Sequence, residues 1–368
     1  MNFICLKNVL LDNIIIASRA VASRTTNPIL ECLLLEADDD GLKITGNDLE
    51  LAIQTSNINC EVNQSGKIAL DSKLFLEIIR KMPDDYINIF IDKSVIHIQC
   101  ANVEFNIAAI DASSFPSLPD VEKSYRYNLD PTSFKNVVKQ TIFSVSIDDS
   151  KPALTGELLE IKDGFLNVVA VDGFRVSFRK VDCPDSHDAY VVVPARTLSE
   201  IIKIIPPDGV DLLNMFFTDK HIVFEFNNCT VVSRILDGDF INYDQVLNDD
   251  YSTIITVDRL SLLLALERVS LISNKEVKKY PVKLIISDGS LILTSQTQLG
   301  IAKDQIPIDV DGGALEISYN PKFILDAIRA LDEDVVTMQF TNSFGPCIIK
   351  GLGNQNAKYF ILPLRTRD

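Results

Sequence analysis

The chain has 368 residues, of which 46% are hydrophobic, so it is too long for one typical core and long enough for two or three domains. No stretch of about twenty residues is free of charge, which excludes a membrane-spanning helix. The formal net charge of −16 argues against nucleic acid as a partner unless positive and negative charge are segregated along the chain.

The start, "MNFICLKNVLLDN", has one Lys and no small-residue cleavage site after an apolar run, so no signal peptide is expected. Apolar residues at three- and four-residue spacing predict a helix over 6–21. A strand pair around a Gly is expected in 41–56, and a second helix at "LEIIRKMPDD" (76–85). Alternating and apolar runs rich in β-branched and aromatic residues predict strands over 87–111. The same order then returns. A helix is expected in 129–145, starting at Asp130-Pro131, a strand pair in 164–180, a helix at "LSEIIKIIPPDG" (198–209) and strands over 212–237. It returns once more, with a helix in 257–273 starting at Asp258, a strand pair in 289–305, a helix at "ILDAIRALDED" (324–334) and strands over 335–365. Glu77, Glu200 and Asp326 hold one position in the three second helices, at spacings of 123 and 126 residues.

The chain therefore reads as three copies of one unit of about 120 residues, each made of two half-units of a helix followed by strands. The fold class is α+β, with two helices per domain on one face of antiparallel sheets. Polar and turn residues place linkers near 117–124 and 246–252, giving domains 1–121, 122–248 and 249–368. The seven cysteines are scattered, odd in number and never spaced as CxxC, which points to reduced thiols in a cytosol rather than disulfides or a zinc site.

Charge is not spread evenly over this pattern. The helical windows 7–24, 72–82, 132–142, 196–205, 258–272 and 321–331 hold fourteen basic and six acidic residues, a balance of +8 that leaves −24 on the remainder. Six mildly basic helices on an acidic body suit a surface facing a polyanion, although Lys and Arg also favour any solvated helix face. The windows carry no aromatic ladder and no recognition-helix signature, so contact with DNA would be to phosphates and independent of base sequence.

At this point the chain resembles the bacterial DNA polymerase III beta subunit, the sliding clamp. The resemblance runs over the whole chain and is carried by "TNPIL" (26–30), "LKITGNDLEL" (42–51), "VVAVDGFRVSFR" (168–179), "LDGDFINYDQVL" (236–247), "VSLISN" (269–274) and "YFILPLR" (359–365). It implies a head-to-tail homodimer ring of six domains, with twelve helices lining the hole and double-stranded DNA passing through. A clamp-loader ATPase would open the ring, and DNA polymerases and repair proteins would dock by short peptides. The family does no chemistry and needs no cofactor or metal, and it works in the cytoplasm.

Carried over position by position, the resemblance implies a partner-peptide groove at Leu154, Gly173, Phe174, Arg175, Val176, Ile241, Val246, Phe360, Leu362, Pro363, Leu364 and Arg365. Read without it, "VDGFR" is a turn or bulge at Gly173 with Arg175 emerging beside apolar neighbours. "FILPLR" is too apolar for a solvated tail and reads as an edge segment that packs or binds something. Each of these residues is also compatible with an ordinary domain core. Relative to the family pattern, Phe174 stands for a His, Ile241 for a Pro and Gln245 for an Arg, and "TRD" follows Arg365, so one groove wall should be more apolar. Phe105 and Ile107 at strand spacing, with Leu271 and Ile272 near a helix end, match the family's dimer interface, and the charged run "NKEVKK" (274–279) beside them could add ion pairs. Arg24 falls at a position that is basic in the family. With Lys73, Arg80, Arg196 and Lys203 it makes the DNA-facing set.

Enzyme motifs are absent. "EADDDG" (36–41) and "DVDGG" (309–313) lack the alternating ligands and closing Glu of a calcium loop and read as turns. "GLGNQN" lacks the third Gly of a dinucleotide loop, and "SGK" (65–67) lacks the upstream Gly of a P-loop. His97, His187 and His221 have no partner spacing for a metal or a triad. The alternative to a clamp is a three-repeat peptide-binding scaffold that does not encircle DNA.

Overall fold

The computed structural model describes residues 1–123, 125–184, 187–206, 212–246, 251–272 and 281–364. Six half-units follow one another. The first is β1 (Asn2–Leu6), α1 (Lys7–Ala17), β2 (Cys32–Asp38), β3 (Gly41–Asn47) and β4 (Leu51–Ile58). The second is β5 (Glu61–Gln64), β6 (Gly66–Asp71), α2 (Ser72–Lys81), β7 (Tyr86–Asp92), β8 (Val95–Cys100) and β9 (Val103–Ala108). The third is β10 (Tyr127–Leu129), α3 (Pro131–Lys139), β11 (Gly156–Lys162), β12 (Phe165–Val171) and β13 (Arg175–Asp182). The fourth is β14 (Ala189–Pro194), α4 (Ala195–Ile204), β15 (Leu213–Phe217), β16 (His221–Phe226) and β17 (Cys229–Arg234). The fifth is β18 (Thr253–Asp258), α5 (Arg259–Ser270), β19 (Val282–Ser287), β20 (Ser290–Thr297) and β21 (Gly300–Pro307). The sixth is β22 (Asp309–Gly312), β23 (Leu315–Tyr319), α6 (Pro321–Ala330), β24 (Val335–Phe340), β25 (Cys347–Gly351) and β26 (Ala357–Ile361).

Each half-unit is thus one or two strands, a helix and three strands, where the sequence reading expects a helix followed by strands. The strand before each helix runs into it with almost no loop, and for α2, α5 and α6 a residue at this junction caps the helix. Asp71 Oδ1 accepts from Leu74 N at 2.7 Å and Asp258 Oδ1 from Ser261 N at 2.7 Å. Asn320 Oδ1 accepts from Lys322 N at 3.0 Å, with Pro321 opening the helix. These bonds satisfy amides that the helix itself leaves open. The stretch 309–312, expected as a turn, is strand β22 paired with β18, and its backbone is satisfied by that ladder.

Two compact units result. One comprises Met1–Thr132 and Glu200–Ile235, the other Ser133–Ser199 and Leu236–Asp368, with the division falling inside α4. The first holds a sheet of order β5-β1-β7-β8-β9 and one of order β10-β15-β16-β17-β4-β3-β2-β6. The second holds a sheet of order β14-β11-β12-β13-β26-β25-β24-β18-β22 and one of order β21-β20-β19-β23. All ladders are antiparallel, and each large sheet joins strands of two successive repeats, through β4 with β17 and through β13 with β26.

Helices bury one face each. Leu10, Ile14 and Ala17 of α1 and Phe75, Ile78 and Ile79 of α2 pack with both sheets of the first unit. In the second unit Leu262, Ala265, Leu266 and Val269 of α5 meet Ile324, Ala327 and Ile328 of α6 over the two sheets. The stretch 117–123 is mostly exposed but anchored at two apolar residues. Val121 is buried, and Leu118 packs on Phe216, Val223 and Val232. All seven cysteines are free thiols, six of them buried.

One buried charge stands out. Glu157 on β11 is sealed from solvent, and neither carboxyl oxygen meets a donor in hydrogen-bonding geometry among the described residues. Burial pushes its pKa up to about 8, against a smaller opposing pull from the Thr141 hydroxyl, which itself donates to Val137 O at 2.8 Å.

Candidate functional site

The carried-over groove positions that are described converge within the second unit. Leu154 and Val176 join Leu158, Val171, Val192, Tyr243, Ile348 and Phe360 in one apolar cluster, with Val246 packed against it. Val176 and Phe360 are cross-strand partners on β13 and β26. Three other carried-over positions, Phe174, Ile241 and Leu362, have exposed apolar side chains. Arg365 lies outside the described residues.

The turn that presents Phe174 is built by Asp172. Its Oδ1 accepts from Phe174 N at 2.9 Å and Arg175 N at 3.1 Å. Gly173 sits at φ 86° with open space around it, so backbone conformation, not crowding, calls for glycine there. The end of β26 then closes the seam, with Leu362 N donating to Phe174 O at 2.9 Å. Leu364 N donates to Ser318 O at 2.8 Å, so the segment beyond β26 is tied down by a backbone bond on either side of Pro363. Pro363, with no N–H to satisfy, falls between these two bonds.

Arg175 does not emerge beside the groove as the sequence suggests; only 6% of it is exposed. Its Nε donates to Asp172 Oδ2 at 2.9 Å, its Nη1 to Asp326 Oδ2 at 2.8 Å and its Nη2 to Phe143 O. The guanidinium also lies 4.4 Å from the Phe323 ring centroid and 5.3 Å from that of Phe143. A cation so fully paired holds the turn and contributes little charge to the groove surface.

The opposite wall has its own anchor, which sequence reasoning missed. Tyr243 donates from its hydroxyl to Glu160 Oε2, and Asn167 Nδ2 donates to the same oxygen at 3.0 Å. Burial first, and then the Glu160 carboxylate, drive the phenol pKa well up, so it stays a donor. Phe178 stacks on the Tyr243 ring at 5.8 Å. Val246 N returns to Tyr243 O at 3.0 Å, so the 3₁₀ turn between Ile241 and Val246 is tied to β11 and β12. The only sequence signal for this was the polar Asn167 and Glu160 within apolar strands.

The DNA-facing candidates are all exposed. In the first unit Arg80 pairs with Glu77 at 2.5 Å and Lys203 with Glu200 at 2.7 Å, each within its own helix. Arg19 adds a second cation on Glu200 at 2.9 Å. Burial alone would raise the Glu200 pKa, but Lys203 and Arg19 outweigh it and hold the carboxyl below its usual range. Arg24 and Lys73 have no acidic partner among the described residues. Arg196 lies on the exposed side of α4, in the second unit.

The interface candidates lie at edges. Phe105 and Ile107 are on β9, the outermost strand of its sheet, with Phe105 exposed and Ile107 half-buried. Leu271 is 70% exposed at the end of α5, and Ile272 beside it is half-buried. The run 274–279 lies outside the described residues.

Comparison with known proteins covers the chain from end to end. Family models for the DNA polymerase III beta subunit match in order, the N-terminal domain at 1–119, the central domain at 128–242 and the C-terminal domain at 244–365. The beta sliding clamp of Halalkalibacterium halodurans is 30% identical over 381 residues, covering 100% of both chains. A solved DNA polymerase sliding clamp from Bacillus subtilis superposes with a TM-score of 0.96 at 29% identity, again over 100% of each chain. A solved Eubacterium rectale protein assigned as a DNA polymerase III beta subunit gives 0.95 at 39% identity over 100% of each chain. With three family segments in order and full-length likeness in both sequence and fold, the chain belongs to the DNA polymerase III beta subunit family, the beta sliding clamps, and its function is that of a non-catalytic, DNA-binding processivity factor in replication.

Proposed function

We propose that the apolar cluster rimmed by Phe174, Ile241 and Leu362 is the groove through which this clamp tethers DNA polymerases and repair proteins, by short peptides carrying apolar side chains. The observation that supports the reading is the exposed apolar Phe174 and Leu362, joined by the Leu362 N to Phe174 O bond at 2.9 Å beside the buried Val176–Phe360 pair, with exposed Ile241 near Tyr243 of the same cluster in sequence. Burying one Leu- or Phe-sized side chain there contributes roughly 1.5–3 kcal/mol, enough for a few residues to give micromolar affinity. Phe174 and Ile241 make the rim apolar on both sides, favouring peptides with apolar over charged flanks. Titrating a labelled short peptide that presents two apolar side chains between polar flanks into the chain and its Leu362→Ala, Leu364→Ala variant tests this. Affinity should fall about tenfold or more in the variant; equal affinity would remove the assignment.

The domain limits we adopt are 1–121, 122–248 and 249–368, one pair of half-units each. Two chains would close head to tail into a ring, β9 with Phe105 and Ile107 meeting the region of Leu271 and Ile272 in the next copy. Exposed edge strands support this, since β9 and β21 are each outermost in their sheets and β21 carries exposed Ile301. Duplex DNA would pass through, touched at its phosphates by Arg24, Lys73, Arg80, Arg196 and Lys203. The Glu77 and Glu200 carboxylates beside Arg80 and Lys203 compete for those cations, which suits a surface that must slide and not grip. A clamp-loader ATPase would be needed to open such a ring, and the work would take place in the cytoplasm. No membrane partner is expected.

A further inference from the structure

Two hairpins, one in each unit, share a construction. Asp48 Oδ1 accepts from Glu50 N at 3.1 Å and Leu51 N at 2.8 Å, as Asp172 Oδ1 accepts from Phe174 N and Arg175 N. The next residue is left-handed in both, Leu49 at φ 79° and Gly173 at φ 86°. On the partner strands Leu51 faces Ser233 and Ala52 faces Val232, as Arg175 faces Ile361 and Val176 faces Phe360. Arg234 N donates to Glu50 O at 2.9 Å, where Leu362 N donates to Phe174 O at 2.9 Å. Glu50 therefore occupies the place of Phe174, and Arg234 the place of Leu362.

The seat is the same and the chemistry differs. A cleft opens there, with Leu51 and Val232 in its lining and Leu49 and Pro119 at its rim. Arg234 is 60% exposed on its side chain and lies directly across the ladder from His221. Its contact with Glu50 is a loose 3.8 Å between two exposed groups, a pair that water and salt largely screen. Burial first, and then the nearby cations Arg234 and Lys220, lower the His221 pKa, so the imidazole adds no counter-charge to the exposed Arg234 guanidinium.

We propose that this cleft is a second peptide-docking site, which takes an acidic segment. A carboxylate of the segment displaces Glu50 from Arg234, and a neighbouring apolar side chain rests between Leu49 and Pro119. A nucleic acid fits less well, since one guanidinium beside a Glu cannot follow a phosphate backbone. The site does not depend on the groove reading above.

The probe is a fluorescein-labelled peptide, Asp-Leu-Asp-Asp, followed by anisotropy on the full chain at low salt. Saturable binding is expected. Arg234→Ala should weaken it about tenfold or more, as loss of a charge-assisted hydrogen bond does. Glu50→Gln, which removes the internal competitor, should tighten it about two- to threefold. The Leu362→Ala, Leu364→Ala variant should bind as the native chain does, which separates this site from the groove. The proposal is overturned by any of four results: no saturation up to millimolar chain, unchanged binding in Arg234→Ala, loss in the double variant, or displacement of the peptide by a duplex oligonucleotide.

Discussion

Arg175 Nη1 meets Asp326 Oδ2 at 2.8 Å, fastening the turn beneath the groove to helix α6. The two residues lie 151 apart in sequence. In the first two repeats the equivalent acid pairs within its own helix, Glu77 with Arg80 and Glu200 with Lys203. In the third, Asp326 turns to Arg175, and Arg329 finds Glu267 instead at 2.7 Å. One substitution pattern has been redirected to hold a site.

Arg175→Ala should therefore destabilise the second unit strongly. It leaves Asp172 and Asp326, both mostly buried, without their cation, and breaking such a pair costs about 3–5 kcal/mol. Arg175→Lys should recover only part of this, because an ammonium cannot serve two carboxylates and a carbonyl in one plane. Urea unfolding of the three proteins measures it, and a loss below about 1 kcal/mol for the Ala variant would contradict the clamp.

Glu157 sets a pH dependence. In the unfolded chain this carboxyl ionises in the ordinary range, whereas the folded chain keeps it protonated up to about 8. Between those limits the unfolded state binds fewer protons, so stability falls as pH rises, by an amount on the order of a few kcal/mol, and levels off above the upper limit. Glu157→Gln should flatten the slope and raise the melting temperature at pH 8. A Gln variant with the native slope would assign the pH dependence elsewhere.

Leu49 and Gly173 invite opposite exchanges. A Leu in the left-handed region costs about 1–2 kcal/mol relative to its favoured conformations, and Leu49 is exposed, so little packing repays it. Leu49→Gly should stabilise slightly, and Gly173→Leu should destabilise by about 1 kcal/mol. Thermal unfolding of the pair reads the sign directly. Two changes of the same sign would mean that the turns differ in a way their hydrogen bonds hide.

Ring closure makes a prediction about mass. Sedimentation over a range of concentrations should find a species of twice 41.0 kDa, and Phe105→Arg with Leu271→Arg should reduce it to the single-chain mass without unfolding. A charge placed in an apolar joint costs several kcal/mol unless paired. An unchanged dimer would move the interface away from β9 and the end of α5.

Much of this architecture was legible because period and capping are local. The first helix of each repeat lies within the stretch that apolar spacing marked, with Pro131 and Asp258 at starts as expected, whereas the second ends at Lys81, Ile204 and Ala330, short of the turn residues included in the expectation. The strand before each helix was not legible. "NFICL" is five residues and runs directly into Lys7, so its alternation merges with the helical pattern that follows. The proposed groove positions came from family likeness alone, and of those described Leu154, Val176 and Phe360 share one apolar cluster. The supports behind them were not, because Glu160 with Tyr243 and Arg175 with Asp326 are contacts of 83 and 151 residues' separation that no periodicity encodes. Arg175 illustrates the limit: beside a Gly it reads as a solvated turn residue, and only the fold supplies two carboxylates to bury it.

The matched hairpins at Asp48 and Asp172 carry a practical meaning for engineering. Where two scaffolds agree in turn, register and closing bond, recognition becomes a matter of two interchangeable side chains on a common mount. Glu50 and Arg234 could be exchanged for Phe and Leu, or the reverse at Phe174 and Leu362, without redrawing a backbone hydrogen bond. A clamp could in this way be given two mounts of the same kind, or have the side chains of its two hairpins traded.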